Sequence, residues 1–223
     1  MQIIDLYGLP GSGKSTISHL AADILREEGY TVKEPSWKLD MASSGMSRRI
    51  QKVFLSLQYA ITNPAQNLAL TKILKTVKNS ETSFIKMWIN FTYTLCSIKR
   101  AKEADYVILD EGIAQAILSL YLYSPKQDFK ENVRTLLSFA DGNLRFIYCF
   151  VLPQTANERI QKRKNGASRL EHLPDNEREQ LLIQLAQRCE ILTASCKGMR
   201  FDNNAECDEA VSLLVKMIKM QTE

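Results

Sequence analysis

The apolar positions of this chain follow two periods. Short continuous runs, suited to buried strands, alternate with stretches where apolar residues recur every three or four positions, as on one face of a helix. The run Gln2–Tyr7, with Ile3, Ile4 and Leu6, reads as a buried strand, and Ile17, Leu20, Ala21, Ile24 and Leu25 then mark a helix that Gly29 stops. Residues 30–34 predict a second strand closed by Glu34-Pro35-Ser36-Trp37, because Pro35 cannot continue a central ladder. From 46 to about 102 no strand pattern intervenes. Ile50, Val53, Phe54 and Leu57 mark one helix, Leu70, Ile73, Leu74 and Val77 a second, and Phe84, Trp88, Phe91, Leu95 and Ile98 a third, with breaks at Asn63-Pro64 and Asn79-Ser80.

Beyond the helical stretch, Tyr106 to Leu109 read as a buried parallel strand and residues 113–123 as an apolar helix suited to a core or to a homodimer contact. A helix over 129–139 and a strand over 145–152, closed by Pro153, follow. Leu181, Leu182, Leu185, Cys189 and Leu192 form another helical face, 200–202 a short strand, and Val211, Leu214, Val215 and Ile218 a closing helix that Asn203 and Glu206 would cap. These elements predict a three-layer α/β fold with a mostly parallel five-stranded sheet, one domain over 1–223, and an all-helical insert over 38–103 after the second strand. A plain crossover needs only about a dozen residues, so an insert of this size at the C-terminal edge of the strands is expected to build a pocket. Gln58, Tyr59, Trp88 and Tyr93 are its candidate lining residues, although aromatics at helical spacing more often serve a core.

Between the first strand and first helix lies Gly8-Leu9-Pro10-Gly11-Ser12-Gly13-Lys14-Ser15-Thr16, which fits G-x-x-x-x-G-K-[ST]. The chemistry requires these residue types at this spacing. Gly8, Gly11 and Gly13 let backbone N–H groups, with Ser12 between them, curl around phosphate oxygens. Lys14 reaches the β/γ-phosphates, and the Ser15 hydroxyl, followed by Thr16, holds Mg²⁺. The helix N-terminus behind the loop favours an anion. Asp110, at the end of the third strand, is placed to help hold Mg²⁺, with Glu111 beside it. The densest basic stretch, Arg159, Lys162, Arg163, Lys164 and Arg169 around Gly166, predicts a lid over 159–175 whose arginines fold onto transferring phosphates.

Composition narrows the setting. The 223 residues suffice for one sizeable core, and 45% apolar with 24% charged residues is an ordinary globular balance. A net charge of +4 decides little, and the basic stretch lacks the interleaved aromatics of an RNA-binding surface, so no nucleic-acid partner is expected. The five cysteines form no C-x-x-C pair, and His19 and His172 have no ligand-spaced partners, so reduced structural thiols in a cytoplasmic protein are expected and a zinc site is not. The opening residues enter a strand carrying Asp5 rather than a secretory leader, and the longest apolar run, Phe146 to Leu152, is too short to span a bilayer.

Taken together, these residues resemble the P-loop kinases of nucleosides and nucleoside monophosphates, in particular the thymidylate kinase and deoxynucleoside kinase group. The resemblance rests on the loop from Gly8 to Ser15, the Glu34-Pro35 pair, Asp110, and the lid-like Arg159, Arg163 and Ser168-Arg169-Leu170-Glu171, in the right order over most of the chain. It implies a P-loop NTPase fold, ATP and Mg²⁺, Arg159 at the nucleotide, and Glu34 as the base that takes the acceptor's proton. Two departures stand out. The arginine those kinases carry after the third-strand carboxylate is absent, Glu111 and Gly112 standing there, and Trp37 lies nearer the Glu-Pro pair than theirs. The resemblance therefore supports the triphosphate donor and leaves the small-molecule acceptor open. One expected mechanism is phosphoryl transfer, with Glu34 or Glu111 accepting the proton and Arg163 and Arg169 closing over the phosphate. The alternative is an ATPase or switch in which Asp110-Glu111 orients water and the helical insert meets a macromolecular partner.

Overall fold

The computed structural model describes residues 1–37, 45–77, 84–101, 103–121, 129–139, 143–163, 169–204 and 207–220. Five strands, β1 Gln2–Tyr7, β2 Val32–Lys33, β3 Tyr106–Leu109, β4 Leu144–Phe150 and β5 Met199–Asp202, form one sheet in the order β2-β3-β1-β4-β5. Every neighbouring pair is parallel, and the register sets Asp5 beside Leu109 on one side and Phe146 on the other. The helices are α1 Lys14–Glu27, α2 Gly45–Thr62, α3 Pro64–Val77, α4 Phe84–Arg100, α5 Ile113–Leu120, α6 Phe129–Leu137, α7 Pro153–Lys162, α8 Asp175–Cys196 and α9 Cys207–Lys219, with a 3₁₀ turn at Arg169–His172.

Successive side chains of β1 point to opposite faces, and each face has its own core. Ile4 and Leu6 pack with Ile17, Ala21 and Leu25 of α1 and Leu214 and Ile218 of α9. Ile3 and Tyr7 pack on the other side with Ile117 of α5, Val133 of α6 and Leu185 of α8. The central strand is thus buried on both faces, and its C-terminal end delivers the loop after Tyr7 to the ligand edge of the sheet.

Several sequence expectations shift. β2 keeps two of its five expected residues, and Pro153 starts α7 rather than only ending β4. Arg159 and Lys162 lie on that helix, while Lys164, Gly166, Ser168, Asn79, Ser80 and Glu206 lie outside the described residues. The apolar helix expected over 113–123 spans Ile113–Leu120 and is mostly core, with Ile113, Ala114, Ile117, Leu118 and Leu120 buried. In the insert, α2 packs along α4, yet it buries Leu55, Ser56 and Tyr59 and leaves the stripe through Ile50, Phe54 and Leu57 in the open. Trp88 packs against the core and donates Nε1–H to Asn67 Oδ1 at 2.8 Å, and buried Tyr59 donates to Gln66 Oε1 at 3.0 Å. Of the four candidate lining residues, Tyr93 alone lines the two cavities described next.

Candidate active site

The loop between β1 and α1 covers residues 8–13, and Gly13 caps the helix with φ 81° and ψ 7°, a left-handed conformation that an L side chain resists. Gly11 combines a positive φ with a close approach, since a Cβ there would lie 2.5 Å from the Ala156 carbonyl oxygen. Lys14 curls back over the loop, its Nζ donating to the carbonyls of Gly8 at 3.2 Å and Leu9 at 3.1 Å and to Ser12 Oγ at 3.4 Å. Burial of the ammonium among these groups pushes its pKa below the ordinary lysine value. The first turn of α1 carries no carboxylate, so its N–H groups face an anion without competition.

Other groups hold this loop from behind. The buried Asn203 side chain donates to the Ser12 carbonyl at 2.6 Å, and Arg159 reaches the same carbonyl at 3.5 Å while bonding the Asn203 carbonyl at 3.1 Å. The Gly8 N–H donates to Gln115 Oε1 at 3.2 Å. Asn203, which spacing marks as a helix cap, is therefore a brace of the phosphate loop. Arg159 makes its described contacts to the Ser12 and Asn203 carbonyls behind the loop rather than across the cavity in front of it.

That cavity, about 300 Å³, is where most of the candidate residues meet. Gly11, Gly13, Lys14 and Ser15 enter it from the loop, Asp110, Glu111 and Gly112 from the end of β3, and Arg163 from the C-terminus of α7. The insert adds Lys52, Asn90, Tyr93 and Thr94. Thr16 is exposed just beyond Ser15, and the Arg169 side chain lies outside the described ones. Lys52 escaped the sequence reading, where one lysine on a helix carries no signal. It stands 3.5 Å from Glu111 Oε2 and 5.1 Å from the centre of the Tyr93 ring.

Beneath the cavity, Asp5 is fully buried on β1 and accepts the Ala114 N–H at 3.0 Å, capping the N-terminus of α5. Burial raises its carboxyl pKa to about 7, opposed by the N–H groups of Ala114 and Ile113. Gly112 makes this packing possible, because a Cβ there would stand 2.3 Å from the Asp5 carboxyl. The turn after β3 is thus wrapped, through Gly112, onto a buried acid.

Glu34 is elsewhere. It lines a second cavity of about 670 Å³ with His19, Arg26, Trp37, Leu55 and Arg100, and Tyr93 forms part of the wall of both cavities. The Glu34 carboxylate is buried and paired with Arg26 Nη2 at 2.6 Å and His19 Nδ1 at 3.3 Å. The His19 ring stacks on Trp37 with centroids 3.9 Å apart, and the Tyr93 hydroxyl donates to the Pro35 carbonyl at 3.4 Å. The geometry therefore brings Lys14, Ser15, Asp110, Glu111 and Arg163 together and sets Glu34 apart behind Tyr93.

The donor set of the first cavity suits Mg²⁺. The Ser15 hydroxyl and the Asp110 and Glu111 carboxylates are hard oxygen ligands, and Mg²⁺ is commonly held by one or two carboxylates together with water and substrate phosphates. No cluster of three or more His, Cys, Asp or Glu side chains able to form an all-protein metal cage occurs among the described residues. No helix among them is long and apolar enough to cross a membrane.

No protein-family model matches the chain, and no curated protein matches it at a significant level. Solved structures do. The chain is similar to deoxyadenosine kinase from M. mycoides, with products dCMP and a flexible dCDP bound, at 21% identity and a TM-score of 0.53, covering 97% of this chain and 98% of that one. The same enzyme with bound dATP aligns at 18% identity and a TM-score of 0.55, over 99% and 100% of the two chains. Shikimate kinase from Bacteroides thetaiotaomicron aligns at 15% identity and a TM-score of 0.55, over 98% and 99%. What the chain shares with these proteins at such identities is a fold, that of the P-loop kinases of the deoxynucleoside kinase-like kind.

Proposed function

We propose that this protein transfers the terminal phosphoryl group of ATP to a hydroxyl or phosphate of a small, nucleoside- or nucleotide-like acceptor. The observation that carries this reading is the convergence of Lys14, Ser15, Asp110 and Arg163 on one cavity that meets a larger one along Tyr93. Lys14 and the loop amides hold the β- and γ-phosphates, and Ser15 and Asp110 would hold Mg²⁺, whose charge offsets that of the phosphate oxygens. Arg163, with Lys52 from the opposite wall, faces the charge on the transferring group. Phosphoryl transfer depends mainly on positioning and charge stabilisation, so this set accounts for the chemistry.

The acceptor lies in the second cavity, where Trp37 and Leu55 offer a ring-sized apolar wall and Arg26, Lys33 and Arg100 offer charge. Its reacting oxygen enters the phosphate cavity past Tyr93 and meets Glu111 as base. Glu34, the base that the resemblance implies, stays with Arg26 and His19 and orients the acceptor. Glu111→Gln should lower turnover by roughly 10²-fold with nucleotide affinity retained. A loss of that size confined to Glu34→Gln would move the base to the acceptor cavity.

A second reading draws on the Glu111 side chain, which is 61% exposed at the mouth of the site beside Asp110. There it could orient water, giving an ATPase or switch. Incubation with γ-labelled ATP, Mg²⁺ and a panel of nucleosides, nucleoside monophosphates, sugars and nucleotide sugars separates the two. Label in an acceptor supports the kinase, and label in inorganic phosphate alone supports the hydrolase.

A further inference from the structure

The Glu111 carboxylate has two protons within its reach, that of an acceptor hydroxyl and that of a water, and its neighbours decide between them. Its side chain is 61% exposed, and among the described residues its one ion-pair partner is Lys52, with Nζ at 3.5 Å. Lys52 is the fixed member of the pair. Its side chain is only 22% exposed, and its ammonium also lies over the Tyr93 ring, 5.1 Å from the centre, where the ring face attracts a cation. The backbone beneath it is tied down as well. The fully buried Ser56 hydroxyl lies 2.8 Å from the Lys52 carbonyl oxygen and 3.1 Å from that of Ile89, which joins α2 to α4 one turn before Tyr93.

These neighbours also face the place from which an acceptor comes. Tyr93 lines both cavities, and the turn of α2 that carries Lys52 into the phosphate cavity presents Gln51 and Leu55 to the acceptor cavity. We propose that Lys52 is a positioning residue that turns Glu111 toward an acceptor hydroxyl arriving past Tyr93 and away from water, so that phosphoryl transfer is favoured over ATP hydrolysis. This rests on the kinase reading above, in which Glu111 is the base. In transfer, the acceptor oxygen bonds the γ-phosphorus as the bond to the β,γ-bridging oxygen breaks, ADP leaves, and the hydroxyl proton passes to Glu111. In hydrolysis water takes the acceptor's place and inorganic phosphate is the product. Both reactions use the same carboxylate, so its direction sets the partition between them. A partly exposed ion pair is worth roughly a factor of 5 at most, which bounds the effect to expect on water.

The test is the partition of the γ-label of ATP in Lys52→Met, which keeps the aliphatic stem and removes the charge. With no acceptor present, hydrolysis should rise about 3-fold over the native chain. With an acceptor that the native chain labels, the ratio of inorganic phosphate to labelled acceptor should rise about 10-fold or more. Lys52→Arg retains a cation for the pair and should keep that ratio within about 3-fold of native. Lys52→Met combined with Glu111→Gln should lose the extra hydrolysis. A lysine that only stabilises charge on the phosphoryl group predicts otherwise, since transfer and hydrolysis then fall together and the ratio holds. That result, an Arg variant that leaks as the Met variant does, or extra hydrolysis that persists in the double variant would overturn the proposal. A native chain that labels no acceptor defeats the kinase reading instead. The acceptor-free arm then still decides for Lys52, a rise upholding its hold on Glu111 and a fall overturning it.

Discussion

With water excluded from Asp5, its carboxyl ionises near pH 7 in the folded chain and near 3.8 as an ordinary aspartate. The folded state therefore binds the extra proton between those values, and stability falls as pH rises from about 4 to about 7. Asp5→Asn should flatten that fall, by up to roughly 4 kcal/mol, in urea denaturation across this range. Parallel curves for the native and variant chains would show that Asp5 is already ionised in the fold. Gly112→Ala should destabilise by about 1–3 kcal/mol in the same assay, because its Cβ meets the Asp5 carboxyl. Neither role is legible in the sequence. The run from Ile3 to Leu6 shows only a polar position in a strand, and the helix that Asp5 caps begins more than a hundred residues later. The meeting of Lys14, Ser15 and Asp110 at one cavity was legible because a local motif or a strand end positions each of them. Lys52 and Asn203 were not, since each becomes meaningful only through a partner distant in the chain.

At the level of elements, periodicity located α2 without telling which side of it is covered. An apolar stripe says that a helix has a face to cover, and only the packing of Leu55 and Tyr59 against the insert shows that the stripe itself is left outside. Of the two uses that 113–123 suited, a core or a homodimer contact, the buried residues of α5 serve the core. Two elements flank the phosphate loop without belonging to it, and each gives a prediction. Lys52→Ala on α2 should reduce phosphoryl transfer about 10-fold with little change in melting temperature, because the side chain lines the cavity rather than the core. Asn203→Ala, after β5, leaves the Ser12 carbonyl to the longer contacts of Arg159 and the Cys149 thiol and should weaken ATP binding about 10-fold by calorimetry. Unchanged binding would reduce Asn203 to a strand-end cap.

For the whole molecule, the order along the chain of the strands and of every helix but α7 was readable, because most runs of apolar residues are long enough to declare their period, and the phosphate loop marks one edge of the sheet. The division of that edge into two cavities was not readable. It depends on Tyr93 of the insert reaching the turn after Glu34, a contact between segments about sixty residues apart. The proposed reaction needs a triphosphate seated in the loop and an acceptor beyond Tyr93. It is tested most directly by following the γ-label of ATP with Mg²⁺ and the acceptor panel, beside Lys14→Ala as the null enzyme. Label on a nucleoside or nucleotide acceptor, lost in Lys14→Ala, is the predicted result. Label released only as inorganic phosphate with every acceptor would contradict it.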